Sequence, residues 1–165
     1  MKPSEPEKKF LCDRMAGSLC KYLRFMGYDC TSANDLSPGD PREDTNILTI
    51  AKEDNRIILT QDAELAQRGG ETAIRLKSSG LSDQIVQLID EELIIPEIRL
   101  TRCSCCNTLL MEGTTGADRR NNAHTPDNTP LVHCPVCHRQ YWEGTHTQNM
   151  RKKLESIILK SKNQV

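Results

Sequence analysis

The sequence has little charge excess of either sign, few aromatic residues and no long apolar run. Its 165 residues include 22 basic and 23 acidic side chains, and only 4% are aromatic. Because the charges balance at −1, no overall cationic field attracts nucleic acid, and such a contact would need a local basic patch. No run of about 18 apolar residues is present, so the sequence predicts no membrane span.

The first residues have no apolar segment of the kind found in secretory signals. Residues 1–8 are polar and charged, which predicts a disordered tail and a cytoplasmic protein. Eight cysteines in a chain without such a signal favour metal binding over a disulfide framework, at least for the cysteines that cluster.

Short apolar runs alternate with segments of helical periodicity up to about residue 98. Helices are predicted over 14–26, from Asp40 to about Asp54, over 62–68 and over 82–92, with Ser82 as the cap of the last. Strands are predicted at 10–12, 28–33, 56–60 and 72–76. This alternation is typical of an α/β fold, with a parallel sheet flanked by helices, and places a first domain at 9–98.

The first predicted helix has two faces. An apolar stripe is formed by Met15, Leu19, Tyr22, Leu23 and Met26, and Gly27 stands where a C-cap glycine is expected. The opposite face carries a basic stripe, predicted to be exposed and formed by Arg14, Lys21 and Arg24.

Two CxxC pairs lie in the second predicted unit, residues 99–165, which also contains a final helix at 147–162. Paired CxxC motifs suit tetrahedral zinc because each presents two thiolates from one tight turn. The sequence therefore predicts a small zinc ribbon with a long internal loop and a structural site formed by Cys103, Cys106, Cys134 and Cys137.

The other cysteines and the histidines receive simpler interpretations. Cys105 is interpreted as a bystander, and ordinary buried or half-buried thiols are expected for Cys12, Cys20 and Cys30. A site with four cysteines needs no histidine, so surface roles are expected for His133, His138 and His146. Trp142, the only tryptophan, is expected to pack over the cysteine turns rather than to stack on a nucleobase.

Acidic residues follow two of the predicted strands. Asp13 and Asp62 would both project from the carboxyl edge of the sheet if their strands are neighbours, and Asp44 lies in the first turn of a helix. Converging carboxylates repel one another without a cation, and their oxygens suit Mg²⁺ or Mn²⁺. Each acid also has a local explanation, because aspartates commonly cap helices and form turns.

The motifs, taken in order, resemble one known family. Phe10–Met15 and Leu19–Asp29 resemble the opening of the mutator-type C-terminal RNase domain, and Arg56–Asp62 resembles its second block, a strand that ends in Thr-x-Asp. The segments 102–107, 134–137 and 141–146 are similar to the zinc ribbon that this family joins to its nuclease-like domain.

The resemblance implies a PIN-like fold and a divalent-metal-dependent endoribonuclease. It implies that Asp13 and Asp62 are catalytic metal ligands and that Asp44 is a third, although Asp40 and Glu43 lie close to Asp44. A fourth acid is not evident, and Asp83 is a candidate by position only. Substrate-binding roles are predicted for Arg14, Lys21, Arg24 and Thr60, the last by orienting Asp62 or a water.

Two other functions compete with this interpretation. In one, the chain is a non-catalytic RNA- or ribosome-binding module that uses its ribbon and basic stripe. In the other, it is a thiol-based redox or zinc-sensing protein, but a redox CxxC should begin a helix after a strand, whereas both copies here lie in turn-rich sequence.

Overall fold

A four-stranded parallel sheet forms the centre of the fold. The computed structural model describes residues 8–113 and 129–163. The sheet strands are β1 (Lys9–Cys12), β2 (Asp29–Ser32), β3 (Arg56–Thr60) and β4 (Ala73–Arg75), in the order β2-β1-β3-β4. All three strand pairs are parallel, which confirms the predicted α/β architecture.

Helices cover both faces of this sheet. They are α1 (Gly17–Phe25), α2 (Glu43–Glu53), α3 (Ala63–Gly69), α4 (Leu81–Asp90) and α5 (Thr145–Lys162). Side chains alternate along β1, so Phe10 and Cys12 face α1 and α4, while Leu11 faces α2 and α3. Within the described ranges, no helix combines the length and the apolar character that crossing a bilayer requires.

Several helix starts differ from the predictions by one to three residues. α2 begins at Glu43 because Asp40 caps a preceding turn, its carboxylate accepting a hydrogen bond from the Arg42 backbone N–H at 2.8 Å. α4 begins at Leu81 after Gly80, so Ser82 lies inside the helix and is not its cap. α5 begins at Thr145, two residues earlier than predicted.

The first helix is shorter than predicted because a 3-10 turn over Arg14–Ala16 precedes it. The Asp13 side chain caps that turn, and its tighter winding takes Met15 out of the apolar stripe and leaves it 77% exposed. The predicted inward position of Met15 is therefore wrong. Gly27 has a φ of +87° and follows α1, as predicted for a C-cap glycine.

The cysteine-rich segment forms a small antiparallel sheet. Its strands are β5 (Met111–Glu112), β6 (Val132–His133) and β7 (Gln140–Tyr141), in that order. The predicted tail lies outside the described residues except for Lys8, whose ammonium donates to the Glu92 carbonyl at 2.7 Å. Most of the predicted long loop, residues 114–128, also lies outside them.

The final helix packs against α4 and joins the apolar core on one side of the large sheet. Met150, Leu154 and Ile157 of α5 lie in the same apolar core as Phe10 and Leu88. The predicted second unit therefore contributes a helix to the core of the first, and the division at residue 98 stays a prediction.

The structure contradicts the predicted exposed position of Arg24, which is only 4% exposed. Its Nε donates to the Cys30 carbonyl at 2.8 Å, and its Nη1 donates to the carbonyls of Ser104 and Cys105 at 3.0 and 2.9 Å. The guanidinium is buried because carbonyl oxygens of β2 and of the cysteine-rich segment surround it and accept from its donors, while its Nη2 lies 3.5 Å from Asp35 Oδ2. These contacts favour a structural role for Arg24 over contact with a substrate.

We expect Arg24→Lys to destabilise the fold by about 1–3 kcal/mol, because an ammonium cannot reach three carbonyls in fork geometry. Lys21→Ala is the control, because Lys21 is exposed on the same helix and its loss should change stability by less than about 0.5 kcal/mol. Chemical denaturation of both variants measures the difference. Equal stability of the two would show that the Arg24 contacts contribute little.

Candidate active site and cysteine groups

Asp13 and Asp62 lie at the carboxyl edge of the sheet, after neighbouring strands. Asp13 directly follows β1, and its backbone N–H donates to the Leu59 carbonyl at 2.9 Å, which extends the pairing with β3 by one residue. Asp62 lies two residues after β3 and caps α3, its carboxylate accepting from the Leu65 N–H at 2.8 Å. The structure thus confirms that their strands are neighbours.

Thr60 connects these two acids. Its hydroxyl donates to Asp13 Oδ2 at 2.7 Å and accepts from the Asp62 backbone N–H at 3.0 Å. Thr60 is fully buried, so its side chain is not open to direct contact with a substrate, and its predicted role of orienting Asp62 stays a prediction. Its geometry is that of a positioning residue, because one hydroxyl fixes both the Asp13 carboxylate and the turn that carries Asp62.

Asp44 lies in the first turn of α2, as predicted, and interacts electrostatically with the other acids. Partial burial raises its pKa, and the negative charges of Asp62, Asp13 and Glu64 raise it further, while Arg68 lowers it. Arg68 Nη1 lies 3.8 Å from Asp44 Oδ2. Asp13, Asp44, Asp62 and Glu64 are therefore close enough for their charges to interact. We term Asp13, Asp44 and Asp62 the sheet-edge acids, and their carboxylates do not form a closed cage.

The closest sets of potential metal ligands are formed by sulfur. We compared groups of at least three His, Cys, Asp or Glu side chains whose ligand atoms lie within 4.8 Å of one another. In residues 8–113 and 129–163, every such group consists of cysteines. One set, the four-cysteine group, is the predicted Cys103, Cys106, Cys134 and Cys137, without a histidine. The other, the three-cysteine group, is Cys12, Cys20 and Cys30.

The predicted substrate-binding cations have different surroundings. Lys21 is exposed on α1, as predicted. Arg14 is paired with Glu43, whose carboxylate accepts from Arg14 Nε at 2.7 Å and raises the pKa of the guanidinium. Asp83, the possible fourth acid, instead accepts from the Ser78 hydroxyl at 2.8 Å and is not among the charges that shift Asp44.

The two CxxC turns have the same backbone geometry. The N–H groups of Cys103 and Cys134 donate to the carbonyls of Thr108 and Arg139, both at 2.9 Å. Asn107 and His138, each just after the second cysteine, have φ values of 62° and 61°. Backbone N–H groups also point at Cys103 Sγ and Cys134 Sγ, at 3.3 to 3.5 Å. Two such turns facing each other are compatible with tetrahedral zinc.

Tyr141, rather than Trp142, packs against the cysteines. The Tyr141 hydroxyl lies 3.2 Å from Cys103 Sγ. Burial raises the pKa of the Cys103 thiol, but hydrogen bonds from this hydroxyl and from backbone N–H groups outweigh burial and lower the pKa to about 7. The expected packing of Trp142 over these turns is wrong. Its indole lies against Gly144, where an added Cβ would be 2.6 Å from Trp142 Nε1, and lines a cavity of about 400 Å³ beside Phe25.

The fold and the site define a class of protein: an α/β domain with acids at the carboxyl edge of its parallel sheet, joined to a four-cysteine module. Comparison with family models is more specific: the Mut7-C RNAse domain matches residues 8–154, and the chain belongs to this family. Membership indicates a ribonuclease-type function with RNA as the substrate. No curated protein and no solved structure matches the chain.

Sequence reasoning missed Glu64 and Arg68 at the acidic edge. Both lie on α3, and the only available signal was the cap at Asp62, which placed them in the first and last turns of a short helix. The three-cysteine group was also missed, since its members are 8 and 10 residues apart and come from a strand, a helix and a second strand.

We expect Thr60→Val to reduce RNA cleavage while the protein stays folded, because valine keeps the volume but loses the hydroxyl that holds Asp13. Loss of a hydrogen bond to a carboxylate should also cost about 1.5–3 kcal/mol of stability. Thr60→Ser is the matched control, since it keeps the hydroxyl. The measurement is the cleavage rate per folded molecule, and equal rates for the two variants would contradict a positioning role.

Cys103→Ser should release zinc and loosen the small sheet, because a hydroxyl is a poor zinc ligand. Cys105→Ser is the control, since Cys105 is exposed and outside the four-cysteine group. The zinc content after dialysis and the thermal unfolding curve measure the effect. A Cys103→Ser protein with full zinc and unchanged stability would refute the zinc assignment.

Proposed function

We propose that the chain is a metal-dependent endoribonuclease of PIN-like fold, in which the sheet-edge acids hold Mg²⁺ or Mn²⁺. The observation that carries this proposal is the link through Thr60, which fixes the Asp13 carboxylate beside Asp62 at the ends of two adjacent strands. Family membership supports the reaction class, and the geometry of the edge supports the choice of residues.

The donor set suits a hard divalent ion. Asp13 is half-buried, Asp44 is half-buried and Asp62 is exposed, so carboxylate oxygens face an open edge rather than a closed cage. Mg²⁺ keeps several of its waters and commonly binds through one or two carboxylates, so an open arrangement fits it. Such an ion supplies Lewis-acid activation of water and of the phosphodiester.

The protein's own side chains prepare this edge for the ion and the RNA. The charges that raise the pKa of Asp44 are those that a bound cation would offset. Arg68 lies beside Asp44 and Arg14 beside Glu43, so both guanidiniums flank the acids and can contact phosphate oxygens. Lys21 extends the basic surface along α1.

We further propose structural zinc in the four-cysteine group. Its paired turns and the backbone N–H groups aimed at Cys103 Sγ and Cys134 Sγ favour thiolates at this position. A site closed by four sulfurs has no open position for catalysis, so zinc would stabilise the small sheet and take no part in cleavage.

A non-catalytic RNA- or ribosome-binding module is the second candidate. It is favoured by the local roles of the acids, since Asp13 accepts from the Arg14 N–H at 2.7 Å and Asp62 caps α3. An aspartate kept only for capping needs no partner across the sheet, whereas the Thr60 hydrogen bond joins Asp13 to the neighbouring strand. That link favours the enzyme.

The test is cleavage of mixed RNA oligonucleotides by wild type and Asp13→Asn, with Mn²⁺ or Mg²⁺ and with EDTA. Asparagine can still accept the capping hydrogen bond, so the fold should persist while the charge is lost. We expect metal-dependent cleavage that falls at least about 100-fold in the variant, or about 2.7 kcal/mol in activation free energy.

The matched control is Asp83→Asn, which removes an exposed acid from the first turn of α4. Its cleavage should equal that of wild type. Cleavage that survives in Asp13→Asn would place the active site elsewhere, and RNA binding without any metal-dependent cleavage would support the binding module instead.

A further inference from the structure

Three cysteines from three different elements meet inside the α/β core. Cys12 ends β1, Cys20 lies in α1 and Cys30 lies in β2, and each is at most 2% exposed. Their sulfurs all lie within 4.8 Å of one another, and Cys12 Sγ is 3.5 Å from Cys30 Sγ. This convergence is separate from the four-cysteine group and plays no part in the proposed cleavage.

Core packing alone does not require this arrangement. A thiol in an apolar core behaves as a small hydrophobe and needs no sulfur neighbours. Here the thiols have weak partners besides one another, since Cys20 Sγ lies 3.6 Å from the Cys30 carbonyl and Cys30 Sγ lies 3.8 Å from the Thr31 carbonyl. Three sulfurs facing a common point form a set of soft ligands.

We propose that the three-cysteine group is a binding site for a soft monovalent cation of the Cu(I) type. The centre of a triangle with edges of 3.5 to 4.8 Å lies roughly 2.0–2.8 Å from each corner, a range that includes a metal–thiolate bond of about 2.3 Å. Thiolates favour soft ions such as Cu(I) as well as zinc, and Cu(I) accepts a coordination by three sulfurs.

Coordination number distinguishes this site from the zinc site. Structural zinc almost always takes four protein ligands. Among the described residues, no fourth His, Cys, Asp or Glu joins the three-cysteine group, and burial leaves little room for water to complete a tetrahedron. The two groups therefore differ in the ion they suit, zinc for four sulfurs and Cu(I) for three.

A buried cation site with thiolate ligands also needs charge balance. Binding replaces thiol protons with the ion, the protons pass to solvent, and no electron is transferred. Three thiolates and one Cu(I) carry a net charge of −2. The buried Arg24 guanidinium offsets part of it, although its Nη2 also lies 3.5 Å from Asp35 Oδ2. Its Nε lies 2.8 Å from the Cys30 carbonyl, so a fixed positive charge adjoins the ligands.

The experiment titrates the zinc-loaded full chain with Cu(I) under anaerobic conditions, against a coloured Cu(I) chelator that keeps free copper low. Copper uptake, near-ultraviolet thiolate-to-copper absorption and released zinc are measured together. We expect one copper per chain with zinc retained. Loss of an outer-shell partner alone lowers metal affinity by about 10–100-fold, so Cys20→Ala and Cys30→Ala should weaken uptake by at least that factor.

Cys105→Ala is the matched control, because Cys105 is exposed and belongs to neither cysteine group. Copper uptake that only displaces zinc, or that Cys20→Ala and Cys30→Ala leave unchanged, would overturn the proposal. If both alanine variants fail to fold, X-ray absorption of the copper-loaded wild type decides: three sulfur neighbours support the site, and two or four overturn it. Neither result depends on cleavage, so the nuclease proposal stands or fails separately.

Discussion

The parallel pairing of β1 with β3 is the constraint on which the acidic edge depends. Adjacent parallel strands end at the same edge, so Asp13 and the Thr60 turn face each other, and the Asp13 N–H continues the ladder to the Leu59 carbonyl. A shift of one residue would turn Thr60 to the other face of the sheet and separate its hydroxyl from Asp13. Apolar side chains on both faces hold the register, with Phe10 facing one core and Leu11 the other. The geometry of the edge therefore depends on packing in the two cores.

A second set of contacts fixes the cysteine-rich segment to this sheet. Asn107, just after the first CxxC turn, donates to Asp29 Oδ1 at 2.7 Å and accepts from the Cys30 N–H at 3.0 Å. Asp29 also accepts a hydrogen bond from Arg56 at 2.6 Å. Burial raises the pKa of Asp29, but the hydrogen bonds from Arg56 and Asn107 outweigh burial and lower it. The edge strand β2 is thus covered by the turn that zinc would rigidify. Zinc can stabilise the α/β domain through this contact while remaining distant from any chemistry.

The sequence predicted those features that depend on local pattern. The strand at 56–60, the glycine after α1 and the four-cysteine group each follow from periodicity or spacing, and each is present. Features that depend on tertiary contact were not predictable. Arg24 occupies a polar position of its helix, yet it is buried because a distant segment supplies carbonyls. Tyr141 ends β7 and Trp142 follows it, and the sequence pattern did not show which of these two adjacent aromatic residues meets the cysteines.

The acidic edge suggests how a chain with a net charge of −1 could bind RNA without a general basic surface. Both arginines beside the sheet-edge acids are already paired with carboxylates, Arg14 with Glu43 and Arg68 with Asp44. Without a cation, RNA approaching this edge meets more negative than positive charge, and phosphates are repelled. A divalent ion bound there would add two positive charges and free Arg68 from its role as the counter-charge of Asp44. Affinity for RNA at this edge would then depend on the ion that the proposed cleavage requires, and such a mechanism needs no general basic surface.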